Sequence, residues 1–212
     1  MMNRHFRLPL IHPETAPVTR LMTRSAIPCA LLALALLSGC AAPPMQFYTL
    51  GAPAIAQAGG ALPATAPVLN VSHVTLPDYL DNQDILTRRG DQLDRSPNGR
   101  WGSRLSQGVT DLLAAHLGQD WPGYVVTTQP LAETPSLRLA VNISRLDLDS
   151  SGQGALAADW ALIPADEHQP VLRNRGSFTA QGTVATDGGK VALTRTLVEQ
   201  LAARIAGTPP HS

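Results

Sequence analysis

The chain has 212 residues, 44% of them hydrophobic and only 15% charged, with 16 basic residues balanced by 16 acidic ones. That length suits one compact domain with appended segments. The apolar fraction is too high for wholesale disorder, the lack of a long single-sign charge block argues against a nucleic-acid partner, and two Cys cannot make a disulfide scaffold.

The first element in the chain is an address. Residues 26–37 (AIPCALLALALL) carry no charge. The run is too short for the roughly 20 residues that span a bilayer but suits the apolar centre of a signal peptide. Arg20 and Arg24 precede it, and Leu37-Ser38-Gly39-Cys40 follows directly. This tetrad resembles the bacterial lipobox, whose Cys is acylated and becomes the mature N-terminus; the plain alternative is an ordinary secretory peptide with an incidental Cys. The resemblance implies covalent diacylglycerol and N-acyl lipid on Cys40 and no other cofactor. Several acyl chains anchor a protein stably without a transmembrane helix. Ala41, in place of an Asp after the Cys, favours sorting to the periplasmic face of the outer membrane. Loss of residues 1–39 removes Cys29 and leaves 12 basic and 15 acidic residues. The stretch before Arg20 is long for an n-region, which makes Met22 an alternative start.

Residues 40–67 read as the lipidated N-terminus and an Ala/Pro/Gly-rich tether, in which only Met45 to Leu50 has the look of a short strand. A globular domain follows over 68–208. Val68 to Leu76 is a strand, and Gln83–Arg88 with Gln92–Ser96 form a hairpin about Gly90-Asp91. Trp101, Leu105, Val109, Leu112, Leu113 and Leu117 fall at helical spacing, with Gly118 as the helix stop. A short strand covers Tyr124–Thr128. Leu137, Leu139, Val141 and Ile143 alternate, and the apolar phase then slips to Leu146 and Leu148. A slip of one residue predicts a β-bulge near Ser144-Arg145. Leu156, Ala158, Trp160 and Leu162 alternate next, and a turn from Ile163 through Pro170 leads to a strand carrying Phe178, Ala180, Gly182 and Val184. A last helix runs from Asp187, as N-cap, to Ala206, with the stripe Val191, Leu197, Val198, Leu201 and Ile205. Runs of strands with two helices predict an α+β fold: an antiparallel β-sheet meander with both helices packed on one face.

No HExxH, GxSxG, GxGxxG or P-loop occurs. His73 and His116 lack a His, Cys or carboxylate at metal-ligand spacing, so no metal is expected. Asp147 and Asp149 read as the wet face of a strand rather than a calcium site. Asp78, Asp81 and Asp84 read as turn caps, and Ser103 has no base nearby in sequence. Nothing here predicts catalysis. Arg88, Arg100, Trp101 and Arg104 form the candidate partner interface, because Arg and Trp are favoured anchors; surface salt bridges of small value are the competing reading.

One stretch carries a broader resemblance. After Cys40, Phe47-Tyr48-Thr49-Leu50 supplies a Tyr-containing strand; Leu76-Pro77-Asp78-Tyr79-Leu80-Asp81 precedes Ile85-Leu86-Thr87-Arg88; and Arg100-Trp101-Gly102 opens a helix carrying Leu105. In this order the chain resembles the ABC-type transport auxiliary lipoproteins, the paraquat-inducible protein C (PqiC) family of Gram-negative bacteria. The resemblance implies a non-enzymatic, lipid-anchored accessory subunit. It would dock a periplasmic MCE-domain protein, with its ABC or integral-membrane partners, to the outer membrane, and would form a homo-oligomeric ring. At the hairpin, Asp91-Gln92-Leu93 and Ser96-Pro97-Asn98 depart from the more apolar run expected there. Two other classes compete. A lipoprotein that binds a lipid or another envelope component would need a groove lined by Trp160, Phe178 and the helix stripes. An envelope hydrolase would need His73 near a carboxylate such as Asp159.

Overall fold

The computed structural model describes residues 43–51, 63–129 and 134–208. The signal segment, Cys40 and Met22 lie outside the described residues. Among the described residues eight strands and two helices follow in chain order: β1 (Gln46–Tyr48), β2 (Val68–Val71), β3 (Asp84–Arg89), β4 (Gln92–Trp101), α1 (Leu105–Asp120), β5 (Val125–Thr127), β6 (Leu137–Leu148), β7 (Gln153–Pro164), β8 (Leu172–Gln181) and α2 (Asp187–Ala206). The α+β class holds.

The strands form two sheets rather than one meander. The larger has the order β5-β2-β6-β7-β8 and the smaller β1-β4-β3. β6, β7 and β8 pair antiparallel, as their hairpin turns require. β2, however, lies parallel to both β5 and β6. The reason is connectivity: β2 reaches β5 only by way of α1, and a helical crossover returns the chain in the same direction. The bulge falls where the phase slip puts it, between Ile143 and Arg145 in the β6–β7 register.

Alternation along β6 and β7 sorts side chains onto two faces. Leu139, Val141, Ile143, Leu156, Trp160 and Leu162 are buried on the face that meets the helices, while Asn142, Ser144 and Asp159 are exposed on the other. From the helices, Val109, Leu112, Leu113 and Leu117 of α1 and Leu197, Val198, Leu201 and Ile205 of α2 complete the core. The Trp121 indole N–H donates to the Ala206 carbonyl at 3.2 Å and ties the two helix ends together.

Three local expectations change. Trp101 ends β4 instead of opening α1, which starts at Leu105. The cause is β1, which lies parallel along β4 with Gln46, Phe47 and Tyr48 beside Gly99, Arg100 and Trp101 and holds those residues extended. Gly118 lies inside α1, which runs on to Asp120. At the start of α2 the N-cap is Thr186, whose hydroxyl accepts from the Gly189 N–H at 3.1 Å. Asp187 is the first helical residue, where its charge also suits the helix dipole.

The pairing of β1 also changes the reading of the tether. Leu50 is 2% exposed, and the Arg195 guanidinium donates to its carbonyl. Met45–Leu50 is therefore built into the body. The Ala/Pro/Gly-rich stretch after it connects two packed strands and does not lead up to the domain.

Candidate interaction surfaces

The arginines of the candidate interface are spread over the small sheet and the start of α1, and each is committed to a carboxylate. Arg88 Nε lies 2.8 Å from Asp147 Oδ1, and its guanidinium sits over the Tyr79 ring at 5.7 Å from the centroid. The hydrogen bond with Asp147 outweighs desolvation and holds the Arg88 guanidinium above its ordinary pKa. Asp147 also takes Arg145 Nε at 2.8 Å. It is 9% exposed, so it is a buried counter-ion rather than part of a wet strand face. Beyond the bulge, Leu146, Asp147 and Leu148 are all buried, because β3 lies against β6 there through the Arg88–Asp149 bridge.

Arg100 donates from Nη1 to the Ser96 and Gly99 carbonyls and approaches Asp84 at 3.2 Å. Arg104 reaches Asp81 at 3.6 Å with 70% of its side chain exposed. Trp101 is 5% exposed and spends its ring on the core. Of the four residues, Arg104 alone presents most of its side chain to solvent. A part-buried polar link runs between the small sheet and α2: Ser96 Oγ donates to Asp187 Oδ2 at 2.7 Å, and Lys190 Nζ donates to Oδ1 at 3.0 Å. A Cβ on Gly99 would collide with the same carboxylate, which explains a glycine there. Burial raises the Asp187 pKa, but the hydrogen bonds from Ser96 and Lys190 and the charges of Lys190 and Arg100 outweigh it and hold the pKa below 3.8.

His73 enters a hydrogen-bonded chain. Ser106 Oγ donates to Asp81 Oδ1 at 2.6 Å and lies 2.9 Å from His73 Nε2. The Ser proton is spent on Asp81, so the imidazole N–H is the donor to Ser106. That direction is opposite to the one a nucleophilic serine needs, where the imidazole takes the serine proton. The chain instead secures α1, whose N-cap Arg104 offers no side-chain acceptor. The Leu105 N–H donates to the Asn82 carbonyl at 3.3 Å. Thr110, one turn further, accepts from the Val74 N–H at 2.9 Å. His116 lies 3.9 Å from Glu199 on α2. Among the described residues Ser103 bonds only the Arg104 carbonyl, and Asp149 caps its own turn through Ser151 and Gln153. Among the described residues no group of three His, Cys, Asp or Glu is placed to hold a metal ion.

The uncovered face of the large sheet forms a groove of about 950 Å³. Ala140 and Ala161 line it, and around them stand His73, Asn142, Asp159, Arg173 and Arg175. The fold thus brings His73 and Asp159 to one groove, but Asp159 accepts from Asn142 Nδ2 at 3.1 Å and His73 is turned to Ser106. Trp160 borders the groove, whereas Phe178 and the helix stripes pack with the core. Arg173 and Arg175 were not legible as site residues. Their signal is two cations two apart on an edge strand, and among the described residues neither has an ion-pair partner. No helix among the described residues is long and apolar enough to cross a membrane.

Comparison with known proteins follows these features. The family profile described as "ABC-type transport auxiliary lipoprotein component" matches residues 48–206, from β1 to the end of α2. The intermembrane transport lipoprotein PqiC of Escherichia coli (strain K12) is 30% identical over 122 residues, 57% of this chain and 62% of that protein. The protein of the same name from Shigella flexneri matches to the same extent. The chain thus spans just over three fifths of the curated relatives' length. A crystal structure of an uncharacterized protein superposes with a TM-score of 0.63 at 22% identity, covering 78% of this chain and 98% of that one. A structure from Xanthomonas campestris gives 0.54 at 13% identity, over 69% and 87% of the two chains. Both support the fold alone.

Proposed function

Because the chain belongs to the ABC-type transport auxiliary lipoprotein family, we propose that it is a non-enzymatic, lipid-anchored accessory subunit of an intermembrane lipid-transport system. In this reading acylated Cys40 fixes the protein to the periplasmic face of the outer membrane, and the body docks an MCE-domain protein with its ABC or integral-membrane partners, as a homo-oligomeric ring. The observation that carries it is the reach of the family match: residues 48–206 take in both sheets and both helices. The chemistry of the polar clusters agrees, since the serine, histidine and carboxylates found together are spent on holding elements in place.

The test is affinity purification of the full chain from detergent-solubilised envelopes after mild cross-linking. An MCE-domain protein is expected among the captured partners; its reproducible absence overturns the reading. Cys40→Ser is expected to release the protein from outer-membrane fractions. A second reading, a lipoprotein that binds an anionic envelope component, is favoured by the groove bearing Arg173 and Arg175. Phospholipid or lipopolysaccharide recovered with the purified protein, and lost in R173E/R175E, would select it.

A further inference from the structure

Four large hydrophobic side chains are exposed among the described residues: Met45 at 48%, Phe47 at 66%, Tyr79 at 37% and Val125 at 38%. Tyr79 is engaged by Arg88, and Val125 is on a strand at the edge of the large sheet. Met45 and Phe47 lie two residues apart at the first described stretch of the chain. Phe47 is held there rigidly, since β1 is hydrogen-bonded along β4 and anchored behind by Leu50. Two large apolar side chains exposed two residues apart ask for a partner surface.

Chain length identifies that surface. Four residues, Ala41 to Pro44, separate Cys40 from Met45. At no more than about 3.6 Å per residue, Met45 stays within about 18 Å of Cys40 and Phe47 within about 25 Å. A leash reaching to Pro67 would have allowed several times that span, but β1 is already part of the body. The sequence around the patch is also suited to lipid. No Asp, Glu, Lys or Arg occurs between Cys40 and Asp78, so β1 itself carries no charge to a bilayer, and Arg100, beside Phe47 on β4, is already held by the Ser96 and Gly99 carbonyls and by Asp84.

We propose that Met45 and Phe47 form a membrane foot: the β1 end of the small sheet rests on the lipid surface, with the two side chains in the headgroup and upper acyl region beside the acylated cysteine. This inference rests on the acylation of Cys40. It adds an orientation, with the body seated directly on the bilayer and its β1 end down. Acyl chains alone hold a protein to a membrane without fixing its attitude; apolar side chains entering the interface do fix it.

The experiment uses the full chain carrying Met45→Cys. Once the signal segment with Cys29 is gone and Cys40 is acylated, the new thiol is the one free thiol, and it takes a polarity-sensitive fluorophore. Intact mass reports the acyl groups separately, so an unacylated Cys40 defeats the anchor reading and is told apart from failure of the foot. The acylated protein is placed in vesicles of phosphatidylethanolamine and phosphatidylglycerol. A headgroup nitroxide lipid is expected to lower the emission at least about twofold, with aqueous iodide having little effect. Phe47→Asp in the same background is expected to reverse that pattern while melting stays where it was, since residue 47 touches no core. Free access of iodide to position 45 overturns the proposal. So does protection from both quenchers, which would mean that a second protein copy covers the patch. An unchanged pattern in the Phe47→Asp variant removes Phe47 from the foot.

Discussion

The two faces of the large sheet are made by the same strands and live by different rules. On the helix-covered face, every second residue from Leu137 to Ile143 of β6 and from Leu156 to Leu162 of β7 is a buried aliphatic or Trp160; on the open face the same strands carry Ala140, Asn142, Asp159 and Ala161. Neighbours in sequence therefore differ in kind of constraint. The covered side chains are fixed by volume; the buried polar groups of Ser106, Thr110 and Asp147 are each engaged by a partner, while the Trp160 indole N–H is buried without one among the described residues. The open side is constrained only to stay soluble and to keep its small floor.

The sharpest way to break this comparison is a pair of substitutions one residue apart. Leu139 is fully buried, and Leu139→Ala is expected to cost about 2–5 kcal/mol in urea unfolding. Ala140→Ser, on the other face, is expected to stay within about 0.5 kcal/mol. Similar costs for both would mean that something covers the open face in the isolated protein.

Asp147 sharpens the comparison, because it is a charge placed where the bulge buries three residues in a row. Breaking a fully buried pair costs about 3–5 kcal/mol. Here solvent reaches Arg88 and Arg145, whose side chains are 27% and 58% exposed. Asp147→Ala is therefore expected to cost about 1–3 kcal/mol. Arg88→Met together with Asp147→Leu should recover part of that loss, and a double-mutant cycle on urea midpoints reads the coupling.

How much of this was open to sequence reading depends on the range of the interaction concerned. The bulge, the alternation of β6 and β7 and the stripes of both helices are periodic signals held within a dozen residues, and they placed the core. The parallel course of β2, the separate small sheet and the end of β4 at Trp101 depend on which distant strand lies alongside, and a period carries no record of its partner. Trp101 fitted a helical stripe because its spacing to Leu105 is four, yet β1 holds it in a strand. Asp147 looked wet because alternation was continued through a bulge that resets it. At the candidate interface the residue types were visible, but not their internal partners; Asp84, Asp81 and Asp147 were all in view as separate turn or strand residues.

A smaller effect is expected at the polar pin beneath α1. Ser106→Ala removes the hydroxyl joining Asp81 and His73, both more solvent-accessible than Ser106 at 1%. The expected loss is about 1–2 kcal/mol by thermal or urea unfolding, with no change in any partner capture. A loss of capture at unchanged stability would instead assign this chain to an interface and weaken the division between structural polar groups inside and working ones outside.

The smallest effect is one of pH, at the link between the small sheet and α2. Ser96, Lys190 and Arg100 favour the ionised Asp187 against the cost of its burial, and the folded-state pKa lies below the ordinary 3.8. A carboxylate with a depressed folded pKa contributes stability above its unfolded value, and that contribution fades as pH falls through the folded one. Unfolding midpoints measured from pH 6 down to pH 2 should therefore drop below about pH 4, more steeply for the native chain than for Asp187→Asn, whose stability is lower at pH 6 and converges with it in acid. Asp149, lowered by the hydrogen bonds of Ser151 and Gln153, titrates in the same direction and remains in both proteins. The difference between the two curves isolates Asp187; parallel curves would show that the small sheet and α2 are joined without it.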